Sequence, residues 1–194
     1  MRQQTKEAVE QAAAEAARVL RAGGVILYPT DTVWGLGCDA TNAEAVARIY
    51  RLKRSENKKS MLVLCASPDM TVRYVNKAPG IAFEVQEMAT EPLTLVLPGA
   101  VGVAPDLIPD EGTLGVRIPD HAFCQALLRR LGRPVVSTSA NLSGEPAPRR
   151  LDEVARELIE GVDHVVDPRF EGRPTGKPSS IILFNEAGEF RIIR

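Results

Sequence analysis

The order of apolar and polar segments predicts an α/β fold: one domain over residues 1–194, with a twisted mixed sheet flanked by helices. Short apolar runs alternate repeatedly with stretches of helical periodicity, the pattern of strands and helices layered around a sheet. The last two runs, 181–184 and 190–193, are joined through 185–188 as a hairpin, which makes the sheet mixed rather than wholly parallel.

Val9, Ala13, Ala16, Ala17 and Leu20 fall on one face of a helix that Gly23 and Gly24 stop. Residues 25–28 form a strand, and 29–37, with two glycines, break into a loop. Asn42 caps a helix reaching about Leu52. A buried strand follows at 61–65, and Ser67 before Pro68 opens another helix with a cap and a proline at its first position. A helix at 81–88 precedes strands at 93–97 and 114–118. Asp120 is expected to cap a helix over 121–131, which Gly132 ends. A strand at 135–137 delivers the polar stretch 138–144, a helix is expected over 152–160, and 165–166 is a late strand. Residues 98–112 and 144–150 are proline- and glycine-rich loops within the one domain.

Net charge is −1, with 44% apolar and 25% charged residues, which excludes wholesale disorder and broad nonspecific nucleic-acid binding. Aromatics, at 5%, are too sparse for a base-stacking platform. Cys38, Cys65 and Cys124 lack metal-ligand spacing and are expected to be reduced and buried. Lys6, Glu7, Glu10 and Glu15 among alanines do not make a secretory leader, and there is no apolar run of about 18 residues, so cytoplasm is the expected compartment and no membrane partner is expected.

Several catalytic patterns fail. Residues 172–177 are one residue short of a phosphate loop, and Pro178 stands where its Ser or Thr belongs. His121 and His164 are the only histidines, and both are expected to be structural. Four polar segments instead lie at strand ends, where α/β sheets present ligand sites: 29–37, 53–60, 113–117 and 137–141. Their hydroxyl, amide and cationic groups suit a carboxylate and a polyphosphate better than they supply a general acid or nucleophile.

Together the segments resemble a known family. PTDTVWGLG is similar to the signature of the YrdC-like threonylcarbamoyl-AMP synthases, and Lys53 follows at the family's spacing. TLGVRIP, STSANLSG and GKPSSII resemble three further segments in the right order, so the likeness runs from about Gly24 to Arg194. It implies a YrdC-like fold in the short, single-domain form. It also implies synthesis of threonylcarbamoyl-AMP and pyrophosphate from L-threonine, bicarbonate and ATP, for threonylcarbamoyladenosine in transfer RNA.

By the same resemblance, Thr32, Arg117, Ser137 and Ser179 match L-threonine positions. Lys53, Thr113, Ser139, Asn141 and Arg194 match ATP positions, with Lys53 and Arg117 carrying the chemistry. The family's K-x-R pattern is altered: Ser55 stands where the arginine belongs, and Lys58 and Lys59 are expected to supply its charge. Trp34 replaces a tyrosine, and Leu64 a histidine that some members have. Magnesium is expected to arrive with ATP, without a protein ligand. Transfer RNA and the proteins that pass threonylcarbamoyl to it are the implied partners.

Two rivals remain at this level. The first is a non-catalytic binder of structured RNA using Arg48, Arg51, Lys53, Arg54, Lys58 and Lys59 as a phosphate-contacting patch. The second is a carbamoyl-transfer domain like that of hydrogenase-maturation proteins, whose zinc-binding and acyl-phosphatase-like regions are not found in this sequence.

Overall fold

The computed structural model describes residues 2–55 and 61–194. The chain runs α1 (Arg2–Arg21), β1 (Ile26–Tyr28), β2 (Gly35–Gly37), α2 (Ala43–Leu52), β3 (Leu62–Leu64), α3 (Pro68–Thr71), α4 (Gly80–Met88), β4 (Leu93–Pro98), β5 (Thr113–Arg117), α5 (Ala122–Leu131), β6 (Val135–Ser139), α6 (Arg156–Gly161), β7 (His164–Val165), β8 (Ser180–Phe184) and β9 (Phe190–Ile192). The described strands form one nine-stranded sheet in the order β7-β1-β2-β6-β3-β5-β4-β8-β9. It is mixed as expected: β3 and β5, β4 and β8, and β1 and β7 run parallel, whereas the β8–β9 hairpin is antiparallel.

Alternation along the strands divides the core into two layers. Ile26, Tyr28, Leu64 and Val135 face α1 and α5, meeting Ala13, Ala17, Leu20, Phe123 and Leu127. Leu27, Val63, Val136, Leu95 and Phe184 point the other way, toward Val46 and Ile49 of α2 and Leu158 of α6. Cys38, Cys65 and Cys124 are free thiols buried in these layers. Among the described residues no helix is long and apolar enough to cross a membrane.

Three local expectations are corrected. The 29–37 segment is not loop throughout, because Gly35–Gly37 forms β2 between β1 and β6. Glycine makes this possible: a Cβ on Gly37 would lie 2.7 Å from both the Tyr28 ring and the Val136 carbonyl oxygen. The cap of α5 is His121, whose Nδ1 accepts the Cys124 N–H, and not Asp120, whose own N–H donates to Asp31 at 3.2 Å. The helix expected over 152–160 splits into a 3-10 turn, Leu151–Glu153, and α6. Val154 is extended and Ala155 non-helical between them, and the break turns Val154 into the core while Glu153 accepts the Arg149 N–H.

Candidate functional site

The cavity opens where the α1–α5 layer stops covering its face of the sheet. Leu64 and Val135 lie under those helices, and one pleat further along the same strands Leu62 and Ser137 line open space. The cavity has a volume of about 340 Å³, within the usual range for small-molecule sites. Its described lining includes Lys53, Arg117 and Arg194 but no Asp or Glu, so its field favours an anion.

Each wall comes from a different polar segment. Thr30 and Thr32 bond to each other through their hydroxyls at 2.9 Å, and Thr30 also accepts the Thr32 and Val33 N–H groups. That network holds the segment before β2 in one shape, with Thr32 only 4% exposed. Ser179, just before β8, and Thr94 of β4 share a hydrogen bond of 2.7 Å and are both buried. The Arg194 guanidinium wraps onto the Ser179 carbonyl through Nε and Nη2.

Lys53 closes α2 and knits the neighbouring turn to it. Its Nζ donates to the carbonyls of Ser139 and Asn141, and its own carbonyl accepts the Ser143 N–H. Burial lowers its amine to about 8. A cation so placed beside hydroxyls gains from an arriving polyphosphate.

Arg117, at the end of β5, is 3% exposed and donates through Nη1 to Asp31 at 2.6 Å. Its Nε has no partner, and neither does Oδ1 of Asn141. These are the two buried side-chain polar atoms left unsatisfied among the described residues, one a donor and one an acceptor, and both residues line the cavity. Orphaned buried groups are costly, so a pair at one cavity marks where a ligand completes the bonding.

The structure therefore gathers Thr32, Lys53, Ser55, Arg117, Ser137, Ser139, Asn141, Ser179 and Arg194 around one space. It does not bring Thr113 there. Thr113 shares the face of β5 with Arg117, but four residues along a strand amount to roughly 13 Å. It lines a separate depression with Glu111, Phe184 and Phe190. Lys58 and Lys59 lie outside the described residues. The basic patch expected of an RNA binder is largely neutralised where described, because Arg48 pairs with Asp163, Arg54 pairs with Glu157, and Lys53 turns inward.

Several residues of this site have no role legible in the sequence. Thr30 sits inside the quoted signature, yet its bracing bonds depend on a backbone turn that no periodicity announces. Ser143, Gly144 and Ala147 line the cavity from what reads as an ordinary loop. Thr94 lies in an apolar run, with alternation its only signal.

A family model described as telomere recombination, that of the Sua5, YciO and YrdC proteins, matches residues 18–194. The threonylcarbamoyl-AMP synthase of Halorhodospira halophila is 38% identical over 170 residues, covering 86% of this chain and 87% of its own. That of Idiomarina loihiensis is 36% identical over 171 residues, covering 87% and 91% respectively. The structure of P. abyssi Sua5 complexed with L-threonine is similar with a TM-score of 0.86 at 28% identity, covering 95% of this chain and 54% of that one. This chain thus spans about half of that longer protein.

Proposed function

This chain belongs to the Sua5/YciO/YrdC family, and from that premise we propose that its cavity joins L-threonine, bicarbonate and ATP into threonylcarbamoyl-AMP. The observation that carries the reading is the orphaned Arg117 Nε in a cavity whose described lining has three cationic side chains and no Asp or Glu. Arg117 holds the threonine carboxylate, with Thr32, Ser137 and Ser179 offering hydroxyls around the amino acid. Lys53, Ser139, Asn141 and Arg194 serve ATP, and magnesium arrives on its phosphates.

In the reaction, the threonine amine adds to the bicarbonate carbon, and loss of water leaves an N-carboxylate. One of its oxygens then attacks the α-phosphorus of ATP, and the bond to pyrophosphate breaks. None of these steps asks the protein for a nucleophile. What it supplies is alignment and cations where negative charge accumulates. The product is a mixed anhydride consumed by a transfer to RNA, which makes transfer RNA and its modifying proteins the downstream partners and the cytoplasm the fitting compartment.

Pyrophosphate release from Mg-ATP, measured with threonine and bicarbonate each omitted in turn, tests the proposal. Release requiring both is expected, and release indifferent to threonine would defeat it.

A further inference from the structure

Among the described residues Asp31 is the one Asp or Glu side chain in contact with the cations of the cavity, and it does not line the cavity itself. Its side chain is 12% exposed, and its two oxygens have different donors: Oδ1 takes Arg117 Nη1 at 2.6 Å, and Oδ2 takes the backbone N–H of Asp120 at 3.2 Å. Two donors from different directions fix the plane of the carboxylate. Its backbone carbonyl accepts the N–H of Thr175, so the residue is held from three sides.

A guanidinium can meet a carboxylate end-on, through its two Nη atoms, or side-on, through Nε and Nη2. With one Nη1 hydrogen given to Asp31, an end-on ligand would have to share Nη1 with that carboxylate. The side-on edge remains, and its Nε is the buried donor without a partner. By charge alone, a carboxylate beside Arg117 disfavours a second carboxylate, because it offsets the cation the ligand needs. Asp31 therefore works against affinity if electrostatics decides, and for it if orientation decides.

We propose that Asp31 is a positioning residue: it turns the Arg117 guanidinium so that the Nε–Nη2 edge receives the carboxylate of the amino-acid substrate, and so makes the site selective for a free α-carboxylate. The inference rests on the threonine reading above. Asp31→Asn keeps the shape and removes the charge, so the two accounts of it predict opposite signs.

Calorimetric titration of wild type, Asp31→Asn and Asp31→Glu with threonine, threoninamide and ATP reads this directly. Wild type should prefer threonine to threoninamide. In Asp31→Asn, threonine affinity should fall about tenfold or more and the preference over the amide should collapse, while ATP affinity stays within about threefold. Asp31→Glu, still ionised, should recover most of the preference. Threonine binding by Asp31→Asn that matches or exceeds wild type overturns the proposal, and so does equal loss of threonine and ATP in a variant that still melts cooperatively. If Asp31→Asn does not fold, Asp31→Glu decides alone: a retained preference supports positioning, and a lost preference with ATP binding intact overturns it. A wild type that binds no threonine defeats the functional reading itself, which separates the two failures.

Discussion

At the scale of single residues, the site consists of cations held in place before any ligand arrives. Lys53 is the clearest case, because burial lowers its amine from 10.5 to about 8. Between those values the unfolded chain holds a proton that the native protein lacks, so stability rises with pH across that window and is lost as pH falls through about 8. Bound polyphosphate favours the charged amine and reverses that shift. At pH 8, ATP binding should therefore draw in up to about half a proton, seen as a dependence of binding heat on the ionisation enthalpy of the buffer. The dependence should vanish in Lys53→Met. For Arg117, replacement by lysine keeps the charge opposite Asp31 but removes the fork. Threonine affinity should fall by about 1.5–3 kcal/mol in calorimetry with little change for ATP, and equal losses would assign Arg117 a structural role.

At the scale of elements, two local devices hold the cavity walls. His121 caps α5 as an acceptor, which requires Nδ1 to be unprotonated, and burial lowers its pKa below the usual 6.5. A lowered histidine gives stability that is full above about pH 6.5 and is lost as pH falls through the native value. Thermal melts should show that acid loss in wild type and a shallower one in His121→Ala, which at neutral pH should cost about 0.5–2 kcal/mol. In β2, Gly37→Ala places a methyl against the Tyr28 ring and the Val136 carbonyl, and chemical denaturation should show a loss of about 1–3 kcal/mol.

The same elements show what a sequence can carry. The Asn42 cap, the Ser67–Pro68 start, the Gly132 stop and the final hairpin all lie where local chemistry puts them. These signals act within a few residues. β2 is not legible in the sequence because a strand with two glycines in three residues has no apolar pattern and exists only between the neighbours that make room for it. The α5 cap lies one residue beyond the expected Asp120, whose backbone N–H is tied to Asp31, 89 positions away. The site follows the same division: the residues inside quoted motifs converge, except for Thr113, whereas Thr94 and the Asp31–Arg117 contact arise from strand pairing and long-range packing.

At the scale of the whole molecule, the uneven coverage of the sheet by helices creates the function. α1 and α5 cover part of one face, with Leu62 at the margin of their layer, and leave the polar strand ends around Ser137 open and lined by cations. In the proposed reaction this opening brings three substrates together without a protein nucleophile. That reaction is tested most directly by incubating the protein with threonine, Mg-ATP and carbon-13 bicarbonate and weighing the nucleotide product. The expected product is a threonylcarbamoyl-AMP whose mass rises by the one heavy carbon and which is absent when threonine is left out. An adenylate that carries threonine but no label, or nucleotide turnover that ignores threonine, would contradict it.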